Sequence, residues 1–184
     1  MISRLGQEAV LAGLARRLDE QGSWSGETHI QKSAYLMSEL LGVPFDFDFI
    51  LYKHGPFSFE LRDELGSMEA DRLIERQPQP PPYGPRLIVT GRGRELEERL
   101  AQTMSRYAPA LDWTAQHVGD RGVYELERLA TALWVTREGD GDVAERAQRL
   151  REIKPHIPPE DAREAIEEID RLLVEAQGVA VSAG

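Results

Sequence analysis

The sequence predicts a mostly α-helical fold in which three helices, a short β-hairpin and a fourth helix are followed by a further set of helices. Three observations carry that prediction. Apolar residues recur at three- and four-residue steps through most of the chain. One pair of short strand-like runs, 73–76 and 86–89, brackets a proline-rich connection. Glycine, proline and hydroxyl residues stand where helix caps and stops belong. The 184 residues are 41% hydrophobic and 29% charged, an ordinary balance for a globular protein.

The first helix covers Gln7 to Leu18, with Val10, Leu11, Leu14 and Leu18 on one stripe, and Gln21-Gly22-Ser23 breaks it. A second runs from Glu27 to Leu41 on Ile30, Ala34, Met37 and Leu41, with Thr28 as its cap and Gly42 and Pro44 as its stop. Phe45, Phe47 and Phe49 alternate with Asp46 and Asp48, which predicts a short strand-like stretch roofing the two helices. Gly55-Pro56 is a sharp break. Ser58 is placed as the N-cap of a third helix that closes near Asp71-Arg72.

Leu73 to Arg76 and Arg86 to Val89 read as a strand and its return. Between them, four prolines in the five positions 78–82 hold the connection extended and out of the ladder. Thr90 caps a helix expected to end near Tyr107. This order is that of a winged helix-turn-helix domain with a small β-hairpin wing, assigned to residues 1–108. A C-terminal helical subdomain, 109–184, is expected to pack on it. Its helices are a short one around Leu111, Trp113 and Val118, a strut from Val123 to Trp134, one from Val143 to Ile153, and a last one from Glu160 to Ala176. The tail GVAVSAG is expected to fray.

The segment from Gly55 to Leu96 resembles the recognition helix, wing and post-wing helix of bacterial winged-helix regulators of the MarR and PadR type. Leu73-Ile74 stands at the strand opening, and Thr90-Gly91-Arg92-Gly93 begins the helix after the wing. HIQKSAYLMSELLG, then Tyr52-Lys53-His54-Gly55-Pro56-Phe57-Ser58, resembles the YwgA-like proteins of bacteria and archaea. That likeness extends over nearly the whole chain, through LERLATALWV and REIKPHIPPEDAREAIEEIDRLL. The SocA or Panacea antitoxin domain is similar more distantly, sharing the glutamine-lysine helix and the glycine-proline-aromatic-serine turn. What that resemblance implies is an antitoxin or protein adaptor with no catalysis. The proline run departs from the polar and charged wing usual in relatives.

Composition narrows the chemistry. The chain has no cysteine, so it has no disulfide, thiolate nucleophile or sulfur-ligated metal. The four histidines lack any His-Glu-x-x-His run or i,i+4 pairing, and Ser58 lacks a Gly-x-Ser-x-Gly setting. No enzyme, cofactor or metal is therefore expected. No 18-residue apolar run and no secretion signal is read, so the expected location is the cytoplasm, away from any membrane.

A formal net charge of −10 argues against coating nucleic acid by bulk charge but leaves room for a local basic patch. The wing region, residues 73–94, has a net charge of +3, whereas the helix 58–72 has −3. Ser58, Arg62, Arg76, Arg86, Arg92 and Arg94 are the candidate nucleic-acid contacts. Lys32, Tyr35, Tyr52, Lys53, His54 and Phe57 are the candidate ligand or partner patch. Alternatively, Lys32 covers apolar surface and Tyr52 fills the core. Leu126, Leu133, Trp134, Ile166, Ile169 and Leu173 form either a dimer face or a packing face. Exposure of Trp24 or Trp113 would favour a partner surface. The expected function is a non-enzymatic winged-helix module acting through protein–protein contacts, its partner a protein or a second copy. The alternative is a dimeric DNA-binding transcriptional regulator that uses the arginine-bearing wing and the helix 58–72.

Overall fold

In a computed structural model, which describes residues 2–23, 25–81 and 83–179, α1 (Arg4–Glu20) lies enclosed by its neighbours. Every residue from Gly6 to Ala15 is buried, chiefly against the helical segments 27–41, 91–99 and 101–118 and the strand 86–89. The Ser3 hydroxyl caps it by accepting the Gly6 N–H. After a turn at Gly22 (φ +81°), Ser25 and Gly26 pair with the later strand β4, and Leu87 N–H donates to Ser25 O.

Helix α2 (Glu27–Leu41) has the predicted span but a different cap. Its N-cap is Gly26, so Thr28 sits inside the first turn and no side chain caps that helix end. Gly42 ends it in the left-handed conformation, φ +67°. Phe45, Phe47 and Phe49 pack half-buried on the core as expected, but residues 42–49 form no strand. The Asp46 N–H donates instead to the Gln7 side chain, which removes it from any ladder. A β-hairpin that the sequence did not suggest follows: β1 (Ile50–Tyr52) pairs antiparallel with β2 (Gly55–Phe57).

Ser58 caps α3 (Phe59–Ala70), accepting the Leu61 N–H at 3.2 Å. β3 (Ile74–Gln77) and β4 (Arg86–Val89) form the second hairpin, in register Ile74↔Val89 and Gln77↔Arg86. Thr90 caps α4 (Gly91–Arg99), accepting the Gly93 N–H and donating to Arg72 O. Gly93 must be glycine, because a Cβ there would stand 2.3 Å from Leu73 O.

The helix expected to end near Tyr107 breaks earlier, at Leu100 (φ −105°, ψ +34°), and restarts as α5 (Ala101–Val118). Pro109 lies inside α5 instead of ending it. An interior proline costs a hydrogen bond and about 3 kcal/mol. Burial on both sides of it, at Tyr107, Ala110, Leu111, Trp113 and Val118, offsets that cost. The domain division expected after residue 108 thus falls within a continuous helix.

α6 (Val123–Glu138), α7 (Val143–Ile153) and α8 (Pro159–Ala176) complete the chain, with α6 against α2, β2 and α8. Asp142 and Glu145 form a reciprocal capping box on α7. The protein is therefore mostly helical with two small antiparallel hairpins, and one contiguous hydrophobic cluster draws residues from both expected domains. No helix among the described residues is long and apolar enough to cross a membrane.

Candidate functional site

The glutamine-lysine pair of α2 and the glycine-proline-phenylalanine-serine turn are one structural unit. The Gln31 side chain donates to Ser58 O (2.8 Å) and accepts from Ser58 N–H (2.9 Å), pairing with that backbone as a strand would. From the next residue of α2, the Lys32 ammonium donates to Pro56 O at 2.7 Å. Both side chains are fully buried. Burial pushes the Lys32 pKa down to about 8; Glu127 opposes the shift and Lys154 adds to it.

The far side of the turn is pinned by α6 and α7. Glu127 pairs with Lys154 at 2.7 Å and lies 3.5 Å from His54 Nδ1, while the Lys154 ammonium also donates to Lys53 O. Gly55 holds φ +82°, and a Cβ on it would stand 2.7 Å from Thr131 Oγ1. Three elements distant in sequence thus clamp a turn of a few residues. Glu127, Thr131 and Lys154 were not singled out in the sequence. Glu127 and Thr131 are polar residues in an amphipathic helix and Lys154 caps the end of the next one, with nothing local to mark any of them as buried.

The clamped hairpin presents aromatic rings outward. Tyr52, Phe57 and Phe59 stand with centroids 5.2–5.8 Å apart in tilted and edge-on pairs. Ile50, Tyr52 and Phe59 remain 46%, 45% and 37% exposed, and the Arg62 guanidinium lies 5.0 Å over the Phe59 ring. Beside this face opens a cleft of about 730 Å³. It lies between the first turn of α2, the β1–β2 turn, the end of the proline-rich connection, and the α5–α6 turn. Its size is that of a small-molecule site.

The expected patch therefore divides. Lys32, Tyr52, Lys53, His54 and Phe57 all line the cleft. Tyr35 does not: it is buried elsewhere, edge-on to Phe49 and 6.1 Å from Trp134. Nor does Tyr52 fill the core.

The candidate nucleic-acid contacts fare differently from one another. Ser58 is wholly buried, its backbone held by Gln31 and its hydroxyl by the helix cap, so it meets no outside ligand. Arg62 pairs with Asp63. Arg76 reaches both Glu69 (2.9 Å) and Glu27 (3.3 Å), and Arg86 pairs with Asp19. Arg92 and Arg94 are exposed and form no ion pair among the described residues; Arg94 donates to Val89 O. Acids outside the hairpin thus offset part of its positive charge.

Leu126, Leu133, Ile166 and Ile169 are buried within the chain, and Trp134 and Leu173 pack half-buried against the same core. The packing reading of this face is the one seen, because α6, α7 and α8 cover each other. Trp113 is buried, stacked on His117 at 3.9 Å, and Trp24 lies outside the described residues, as does the tail from residue 180. His29 is buried, its Nε2 3.1 Å from Arg121 O. No group of three or more His, Asp or Glu among the described residues is placed to hold a metal. No protein-family model matches the chain, and no curated protein matches it.

Proposed function

We propose that the region from α1 to α4 is a winged helix with β3–β4 as its wing, and that the chain is a non-enzymatic adaptor working in the cytoplasm. It captures a protein partner on the face formed by Ile50, Tyr52 and Phe59. The observation that carries this reading is an exposed aromatic face on a backbone fixed from behind by buried hydrogen bonds and an ion pair. Such a face loses little conformational entropy on binding, and aromatic and arginine side chains are the usual anchors of an interface. The likeness of the glutamine-lysine helix and its turn to the antitoxin domain points the same way.

The test is a photo-crosslinking residue placed at Phe59 in the full chain, in its own cells, with one at Val174 as control. Val174 is exposed on α8, remote in sequence from the hairpin. The expected outcome is one protein adduct from position 59, absent from 174 and lost when Tyr52→Asp is added. Equal adducts from both positions, or none from 59, would overturn the reading.

The regulator remains a second reading because Arg92 and Arg94 are exposed at the start of α4 and form no ion pair among the described residues. It requires capture of a discrete genomic duplex that is lost on reversing Arg86, Arg92 and Arg94, with affinity falling steeply with salt. Ser58 has no part in it.

A further inference from the structure

Two helix N-termini open on the cleft, and neither has a side-chain cap. Gly26 to His29, at the start of the 15-residue α2, form one wall. Gly122 and Val123, at the start of the 16-residue α6, form another. Both N-caps are glycine, so the first-turn N–H groups lack the hydroxyl or carboxylate that ordinarily accepts from them. At α6, Glu125 turns back to accept the Gly122 N–H at 2.8 Å. Each helix end carries about half a positive charge, and two such ends on one concavity favour an anion.

Two buried side chains in the cleft wall are short of partners. His29 is 3% exposed, and its Nε2 lies 3.1 Å from Arg121 O. A carbonyl only accepts, so Nε2 carries the proton. That leaves Nδ1, which is buried with no hydrogen-bond partner among the described residues. A buried ring nitrogen in that state is costly unless a donor from outside reaches it. Lys32 uses one of its three N–H donors on Pro56 O, and among the described residues no carboxylate forms an ion pair with it. Glu27 and Asp120 also line the cleft, but Glu27 is offset by Arg76 at 3.3 Å. Tyr52, Phe57 and Pro85 supply flat apolar walls.

We propose that this cleft binds a small aromatic oxyanion carrying a hydrogen-bond donor. The anionic head sits at the N-termini of α2 and α6, the donor meets His29 Nδ1, and the ring lies against Tyr52 and Phe57. Both aryl carboxylates and mononucleotides share that chemistry. The inference goes beyond the adaptor reading and stands without it.

The test is calorimetric titration of the full chain with hydroxybenzoate and with adenosine monophosphate, each beside its neutral counterpart, hydroxybenzamide and adenosine. At least one anion is expected to bind, its neutral counterpart about tenfold or more weaker, and the arm that binds names the head group. Thr28→Asp and Val123→Asp each place a carboxylate on a helix N-terminus. That leaves the melting temperature unchanged or raised, yet lowers affinity for the anion by about tenfold. Failure of both anions to bind, equal binding of the neutral compounds, or undiminished affinity in both aspartate variants would overturn the proposal.

Discussion

The two hairpins are both short and antiparallel, yet they are held in opposite ways. The β1–β2 turn is gripped from inside by Gln31, Lys32, Glu127 and Lys154, all buried. The β3–β4 hairpin is seated by Ile74, Leu87 and Val89 in the hydrophobic core, and its outer side is tied by the Ser25–Gly26 pairing and the ion pairs of Arg76 and Arg86. Buried polar groups are costly to disturb, whereas exposed ion pairs contribute about 0–1 kcal/mol. The first hairpin is therefore a rigid mount for exposed rings. The second is seated by apolar packing, and the ion pairs on its outer side contribute little.

The largest effect expected from this contrast is at Glu127. Glu127→Ala leaves Lys154 buried without its carboxylate beside an already buried Lys32. Removing one partner of a buried pair costs about 3–5 kcal/mol. Urea unfolding of the variant measures it, and a loss under about 1 kcal/mol would place the clamp among the weak surface pairs. Gly55→Ala comes next. Its φ of +82° strains any side chain, and the added methyl meets Thr131 Oγ1. A loss of about 2 kcal/mol is expected by the same measurement, against little change for Gly84→Ala in the proline-rich connection, where a Cβ meets open space.

The contrast also has a pH signature. Lys32 titrates near 8 in the fold against an ordinary value of 10.5, because burial disfavours its charge. Between those values the unfolded chain binds the extra proton, so stability rises with pH from about 8 to 10.5. Below 8 the full penalty applies, of order 3 kcal/mol. Lys32→Met removes the rise in that window, which urea midpoints across the range would detect. A rise of equal size in the variant would assign it elsewhere.

These differences explain what the sequence could and could not disclose. Helix spans were legible because apolar periodicity is local. The spans of α2, α7 and β4 match, and Thr90 and Ser58 cap as read. Pro109 misled because proline argues locally for a stop, while the burial that overrides it comes from α1 packed against α5. β1–β2 escaped notice for the same reason. Its three-residue strands carry almost no alternation, and what holds it is supplied from residues 31–32, 127 and 154. Five of the six patch residues were identifiable because they cluster around one motif. His29 and the bare N-termini of α2 and α6 were not, since a missing cap is visible only when the helix start is known to the residue.

The smallest effect concerns the outer side of the β3–β4 hairpin. Arg76→Ala removes contacts to Glu27 and Glu69 that are partly exposed on both sides. Such a pair gains modest Coulomb energy and loses side-chain entropy, so the expected cost is below about 1 kcal/mol. The discriminating variable is salt. At about 1 M the Debye length falls to about 3 Å, which erases what the pair contributes. Wild type and Arg76→Ala should then unfold at the same urea concentration, having differed slightly at low salt. Glu127→Ala should keep its full deficit under the same conditions, because ions do not screen a pair enclosed by α6, α7 and the turn. If salt erased both deficits alike, the two hairpins would be held by the same kind of force, and the rigid mount would lose its physical basis.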